Sequence, residues 1–184
     1  MFGAKSSKRF GVIKKSFTIV LIILGAQANT CAQESTEPFT IFLVRHAEKD
    51  LSSGSPSDPP LTTCGEKRSE SLSRFFSAVD LDVIYSTDYI RTKSTALPTA
   101  TTKELGIEIY DPGKLKEFSD SLLEKKQDAL VVGHSNTTAV LAGLLTGEEL
   151  GEFDPDIYNR VYQVVVYKDK SQLNLLHTAF KCGQ

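Results

Sequence analysis

Residues 39–44, Phe-Thr-Ile-Phe-Leu-Val, form a short apolar run that switches abruptly to Arg45-His46. A run of this length, cut off by polar residues, predicts a strand buried on both faces. Residues 129–132, Ala-Leu-Val-Val, have the same character and end in Gly133-His134-Ser135-Asn136. Shorter strand patterns occupy 82–86 and 107–110. Helical spacing fills the intervals between them. Leu72, Phe75, Phe76 and Val79 recur at helical period after Leu61-Thr62-Thr63, where Thr62 or Thr63 is the expected N-cap. Thr87 or Asp88 is expected to cap a second helix carrying Arg91 in its first turn, and Pro98 to kink or divide it near Leu97. Residues 114–126 and 137–145 read as two more helices. Two final strands, 161–167 and 173–178, joined by a turn at 168–171, read as a hairpin.

The predicted order is βαβαβαβαββ. Such alternation favours an α/β fold of three layers, a mostly parallel sheet with helices on both faces, here closed by a C-terminal β-hairpin. Residues 50–60, rich in Ser, Pro, Gly and Asp, are a loop. No internal repeat or boundary divides 38–184. Leu72, Phe75 and Phe76 are expected in the core, and Lys125-Lys126 on a solvated helix face. His177 is expected to be structural or exposed. Tyr158, Arg160 and Tyr162 are core, surface or pocket-rim residues.

The first 28 residues have a different pattern. Lys5, Lys8, Arg9, Lys14 and Lys15 precede the apolar run 17–24, and Ala26-Gln27-Ala28 supplies small residues. This is the layout of a secretory signal peptide, with 29–37 as a linker and an exported, periplasmic or extracellular domain at 38–184. A retained membrane anchor is the alternative, although the run is short for a span. Cleavage after Ala28 removes five cations and no acid, leaving 16 basic against 23 acidic residues. A mature charge near −7 argues against nucleic acid and against a stable partner in anionic membranes. Three cysteines remain, Cys31, Cys64 and Cys182, so at least one is free or paired between chains. Export permits a Cys64–Cys182 or a Cys31–Cys182 bridge. No CxxC or zinc spacing is present.

Candidate chemistry gathers at strand ends. Arg45 and His46 follow the first strand, Arg91 lies one helical turn beyond the second, and His134 follows the fourth. Open α/β sheets bind ligands at that edge. Two forked guanidiniums suit a phosphate dianion. A neutral imidazole can attack phosphorus, and a second, protonated one can stabilise the equatorial oxygens. Backbone N–H groups at the helix start after Gly133 also suit an anion.

These residues also resemble a known family. Leu43-Val44-Arg45-His46-Ala47-Glu48 is similar to the Arg-His-Gly-Glu signature of the histidine phosphatase, or phosphoglycerate mutase-like, superfamily, with Ala47 where Gly is usual. Leu61-Thr62-Thr63-Cys64-Gly65 resembles its LTxxG. The block from Tyr85 to Ala96 resembles its S-x-x-x-R-[TA]-x-x-T-A, and Val131-Val132-Gly133-His134-Ser135 its second-histidine block. The resemblance runs in order from about 39 to 145. It implies that His46 is the nucleophile and that Arg45, Arg91 and His134 bind the phosphoryl group. No metal and no cofactor are implied, and the partner is a small-molecule phosphate ester.

The proton donor is open between two residues. Leu115-Lys116-Glu117 fits the family's L-x-E, but the Gly-Trp-Glu-Gly that often follows is absent. Asp111 lies directly at a strand end. Glu48 is expected to have a structural role, and Asn136 to contact substrate or cap the helix. The expected activity is a phosphatase of the short single-domain branch, acting on phosphomonoesters through a phosphohistidine. A mutase, a phosphohistidine or protein phosphatase, and a non-catalytic phosphate-binding domain are the alternatives. Presence of both histidines disfavours the last. A mutase typically carries extra insertions for which the compact signature core leaves no room.

Overall fold

The computed structural model describes Gly3 and residues 37–150 and 154–183. Apart from Gly3, the expected signal peptide lies outside the described residues, as do Cys31 and the rest of 29–36 in the linker. The elements are β1 (Phe39–Arg45), α1 (Thr63–Phe75), β2 (Val83–Ser86), α2 (Ile90–Lys103), β3 (Ile107–Ile109), α3 (Leu115–Lys125), β4 (Ala129–Gly133), α4 (Ser135–Thr146), β5 (Arg160–Tyr167) and β6 (Lys170–His177). They follow the predicted order. The strands form one mixed sheet, β3-β2-β4-β1-β5-β6. β1, β2, β3 and β4 are mutually parallel, while on the far side of β1 the strand β5 runs antiparallel to it and β6 antiparallel to β5.

The two-residue period of the strands divides the core. Ile41, Leu43, Val83, Tyr85, Ala129 and Val131 pack on one face against Leu122 of α3 and Ala139, Leu141 and Leu145 of α4. Phe42, Val44, Ile84, Leu130 and Val132 pack on the other face against Leu72, Ala96 and Ala100 of α1 and α2, and against Phe76. Phe76 is fully buried. Burial of a side chain of that kind is worth about 1.5–3 kcal/mol. Its neighbour Phe75 is 39% exposed, contrary to the core position expected for it. The helix ends between them, so Phe76 turns inward as the chain leaves the helix and Phe75 is left at the rim of the layer.

Several local expectations change for identifiable reasons. Thr62, one of two candidate caps, is the N-cap of α1, its Oγ1 accepting from Gly65 N–H at 3.0 Å. Neither Thr87 nor Asp88 caps α2, whose N-cap is Tyr89. The acceptor comes instead from the loop, where the Asp58 carboxylate takes the Ile90 N–H at 2.9 Å. Pro98 does not divide α2. Its own carbonyl still accepts from Ser73 Oγ at 3.1 Å and Thr102 Oγ1 at 2.9 Å, which ties the helix to α1 there. The terminal hairpin turns more tightly than expected, through Lys168 and Asp169 alone, with Lys168 at φ 57°.

Cys64, at the start of α1, is bonded to Cys182. The bridge fastens the segment beyond β6 across the molecule. Arg68 adds to this fastening, donating to the Phe180 carbonyl at 3.1 Å while its guanidinium lies 5.0 Å from the Phe180 ring. No helix among the described residues is long and apolar enough to cross a membrane.

Candidate active site

The site grows from the register of two strands. Arg45 pairs with Gly133, so β1 and β4 end side by side. The next residues are His46 and His134, and His46 N–H donates to the Gly133 carbonyl at 2.9 Å. The two imidazoles face each other with centroids 5.5 Å apart. A Cβ at position 133 would lie 2.6 Å from the Tyr110 hydroxyl and 2.8 Å from Thr137 Oγ1, so only glycine lets β4 turn into α4 there. Thr137 Oγ1 then accepts the His134 N–H at 2.9 Å, fixing the first turn of the helix.

His46 is 3% exposed. Its Nδ1 lies 2.7 Å from the carbonyl of Ala47. A carbonyl can only accept, so Nδ1 carries the hydrogen and Nε2 keeps its lone pair. Burial pushes the His46 pKa down to about 3, with the charges of Arg45 and Arg91 acting in the same direction. The imidazole is therefore neutral at physiological pH, the form a nucleophile requires.

His134 is ordered from behind. Its Nε2 is 3.0 Å from Thr87 Oγ1, which donates to Thr92 Oγ1 at 3.0 Å, which donates to the Thr87 carbonyl at 2.9 Å. On its other side Nδ1 lies 3.5 Å from Arg91 Nη2. A guanidinium only donates, so Nδ1 is the acceptor and Nε2–H points into the threonine chain. Burial, followed by the fields of Arg91 and Arg45, lowers the His134 pKa to about 4. Tyr89 packs edge-on against this ring at 5.0 Å.

The two arginines are held by different parts of the chain. Arg45 is 7% exposed. It donates to the Pro155 carbonyl and lies 4.0 Å over the Tyr158 ring, which also packs against His46. Tyr158 is thus a contact of the site, while His177 is exposed, as expected for it. Arg91 pairs with Asp58 at 3.3 Å and lies 4.3 Å over the Tyr89 ring. The Nε atoms of both arginines are buried without a hydrogen-bond partner among the described residues. An oxyanion of suitable shape would satisfy them.

The remaining signature positions have structural explanations. Thr95 Oγ1 accepts the Ala47 N–H at 2.9 Å and donates to the Arg91 carbonyl at 2.7 Å, linking the turn after β1 to α2. Gly65 has no room for a Cβ, which would collide with the Glu48 carbonyl. The Glu48 carboxylate takes Arg68 through Nε at 2.9 Å and Nη2 at 2.6 Å, and does not line the cleft. Glu48, Cys64 and Cys182 place potential metal ligands within 4.8 Å of one another, but the disulfide uses both sulfurs.

These residues border a cleft of about 440 Å³ lined by Arg45, His46, Lys49, Tyr89, Arg91, Pro112, Gly113 and residues 134–137. All four expected phosphate-handling residues meet there, together with Asn136. Neither expected proton donor does. Asp111 turns back to accept the Gly113 N–H at 2.8 Å, and it lines a separate groove with Glu117, which pairs with Lys114 at 3.8 Å. Strand-end position alone does not aim a side chain: the Asp111-Pro112-Gly113 turn presents its proline and glycine to the cleft. Lys49, Tyr89 and Asp58 were not anticipated. Lys49 could have been noticed from its place one residue past the signature. Nothing local marks Asp58 as a partner of Arg91 33 residues away.

The family model for the histidine phosphatase superfamily (branch 1) matches residues 41–120. Fructose-2,6-bisphosphatase TIGAR of Xenopus laevis is 30% identical over 153 residues, 73% of this chain and 55% of that protein. The chain thus spans about half the length of that relative. Among solved structures, the protein histidine phosphatase SixA complexed with tungstate has TM-score 0.63 at 18% identity, covering 76% of this chain and 97% of that one. Mycobacterial glucosyl-3-phosphoglycerate phosphatase has TM-score 0.63 at 11% identity, covering 78% and 100%. At these identities the structural matches establish the α/β fold.

Proposed function

We propose that this chain is a phosphatase of the histidine phosphatase superfamily, hydrolysing phosphomonoesters through a phosphohistidine on His46. The observation that carries this reading is the tautomer of His46, whose Nε2 lone pair is free in a cleft holding two guanidiniums. Nε2 attacks phosphorus as the bond to the ester oxygen breaks. Arg45 and Arg91 take the equatorial oxygens. The incoming dianion favours a proton on His134 Nδ1, reversing the direction in which the arginines push it, so that His134 donates to the developing charge. Water then attacks the phosphohistidine, phosphate leaves, and His46 returns to its neutral form. A basic leaving alkoxide takes its proton from solvent, because no carboxylate among the described residues lines the cleft.

The donor set supports metal-independent chemistry. Hard divalent cations favour several carboxylate ligands, whereas the described residues of this cleft offer imidazole, guanidinium and ammonium with neutral hydroxyl and amide groups, and no carboxylate. The purified protein is expected to hydrolyse p-nitrophenyl phosphate in EDTA, to be blocked by vanadate, and to trap an acid-labile phosphoenzyme. His46→Ala should abolish both turnover and trapping. Activity that disappears on chelation and returns with a divalent metal, or a His46→Ala variant with near wild-type turnover, would refute the mechanism.

Export with cleavage after Ala28 is part of the same proposal. The Cys64–Cys182 disulfide supports it, since such bonds persist in oxidising compartments. Intact mass of the exported protein should correspond to a chain starting at Asn29. A mass retaining residues 17–24 would instead indicate an anchored protein.

A further inference from the structure

Arg45 is placed by one short segment of chain. Its Nη1 donates to the carbonyls of Pro155 and Ile157, its Nη2 to the Tyr158 hydroxyl at 3.3 Å, and its guanidinium lies 4.0 Å over the Tyr158 ring. Residues 154–159 belong to no helix or strand, so the segment relies on its neighbours to keep its shape. The tail beyond β6 supplies part of that support. Thr178 N–H donates to the Asn159 carbonyl at 2.8 Å, and Asn159 Nδ2 donates back to the Thr178 carbonyl at 3.4 Å. Arg68 of α1 supplies another part. Its guanidinium lies 5.9 Å from the Tyr158 ring and 5.0 Å from the Phe180 ring, and its Nη1 donates to the Phe180 carbonyl at 3.1 Å. The Arg68 side chain is only 12% exposed, held between the Glu48 carboxylate and this tail. A chain end stays ordered only where it is tied down, and the Cys64–Cys182 bridge ties this one to α1, the helix that carries Arg68.

We infer that Arg68 is a positioning residue for Arg45, acting through Tyr158, and that the Cys64–Cys182 bridge holds it in that role, so that reduction of the bridge by a dithiol turns the activity down. The inference rests on the phosphatase reading and adds a control to it. Reduction proceeds by two exchanges. One thiolate of the dithiol attacks a bridge sulfur, forming a mixed disulfide and releasing the other cysteine, which takes up a proton. The second thiolate of the dithiol then displaces the first cysteine, which is protonated in turn. The protein gains two electrons and two protons, and the reagent leaves as a disulfide. The freed tail uncovers the Arg68–Glu48 pair, for which water then competes, and Tyr158 loses the group packed beside it. Arg45 is left on an unsupported segment. Misplacing a substrate-positioning group by about 1 Å can cost on the order of 10²-fold in rate.

The test compares oxidised and dithiothreitol-reduced wild type, Arg68→Ala and Arg45→Ala. Three quantities are measured: kcat/KM on p-nitrophenyl phosphate, vanadate affinity by calorimetry, and far-UV circular dichroism as a check on folding. Reduction is expected to lower wild-type kcat/KM by about tenfold or more and to weaken vanadate binding by a similar factor, both restored on reoxidation. Arg68→Ala with the bridge intact should show the same two losses. Reduction should then cost either variant less than about threefold more, because the effect passes through Arg68 to Arg45. Equal kcat/KM for oxidised and reduced wild type overturns the inference. An undiminished effect of reduction in Arg45→Ala overturns it too, since the bridge would then act on another part of the fold. If reduction unfolds the chain, oxidised Arg68→Ala decides: losses of about tenfold on both readouts support the inference, and values within about threefold of wild type overturn it. If oxidised wild type hydrolyses no ester, the phosphatase reading fails. The placement of Arg45 is then decided by vanadate affinity alone, which must fall on reduction.

Discussion

The two sides of the cleft are built differently. On one side, the ends of β1 and β4 and the first turn of α2 present His46, His134, Arg45 and Arg91, and every one of these is tied to another part of the chain. On the other side stand Lys49, Pro112, Gly113 and Asn136. Gly113 and Asn136 are exposed, and Lys49 has no protein partner among the described residues. The rigid side suits a group that is always the same, the phosphoryl group. The looser side suits a leaving group that varies between substrates. Preorganised donors act most strongly where charge develops, so removing part of the rigid side should cost far more than altering the loose one.

The largest expected effect comes from Arg91, because in the proposed mechanism it serves both the phosphoryl group and His134. Arg91→Ala removes a fork that would donate to the equatorial oxygens and the guanidinium beside His134 Nδ1. Loss of one such transition-state donor costs about 10²–10³ in kcat. Arg91→Lys should recover little, since an ammonium cannot bridge two oxygens in a plane. The comparison breaks if steady-state kinetics show Arg91→Ala within tenfold of wild type.

An intermediate effect concerns the two histidines before substrate arrives. Their pKa values are lowered to about 3 and about 4, against 6.5 in an unfolded chain. The unfolded state therefore binds more protons over that interval, and stability falls as pH drops below about 6.5, levelling off only near the folded values. Above about pH 7 neither group contributes a slope. In the free protein, the imidazole carbon-proton resonances of His46 and His134 should shift below pH 5. Binding of vanadate should raise the His134 value and so narrow the gap. A midpoint near 6.5 for His46 would mean that its burial does not hold it neutral.

How far the sequence announced these features depends on whether the cause is local. The apolar runs before Arg45-His46 and Gly133-His134 are strands whose burial dictates their composition, and their register alone places the two histidines together. The alternation of elements was likewise readable. What could not be read depended on contacts distant in sequence. Asp58 caps α2 from a loop 32 residues earlier, overriding the local candidates Thr87 and Asp88. Phe75 and Phe76 have the same hydrophobicity, and only the point where α1 stops decides which is buried. Cys64 had two possible histories until Cys182 was brought to the start of α1. Asp111 was at a strand end in sequence, but the turn that follows it aims the carboxylate at its own backbone.

That last point yields the smallest expected effect and the finest division between the two sides. General acid catalysis matters most when the departing oxygen is basic, and a positioned acid is typically worth about 10²–10⁴-fold. An alkyl phosphate should therefore expose such an acid, whereas p-nitrophenolate departs with little help. Asp111 is occupied by the Gly113 N–H and Glu117 is paired with Lys114 on an exposed helix turn, both in a groove separate from the cleft. Asp111→Asn keeps an acceptor for that N–H, and Glu117→Gln keeps the side-chain shape, so neither should disturb the fold. Each variant is then expected to hydrolyse ethyl phosphate and p-nitrophenyl phosphate within about threefold of wild type, well below the range of a positioned acid. Wild type itself should discriminate steeply between the two esters, as an enzyme that protonates its leaving group from solvent must. If Asp111→Asn slows ethyl phosphate hydrolysis a hundredfold while sparing p-nitrophenyl phosphate, the 111–113 turn must swing its carboxylate into the cleft when substrate binds. The loose side would then hold a catalytic group of its own, and the same pattern in Glu117→Gln would assign that role to α3.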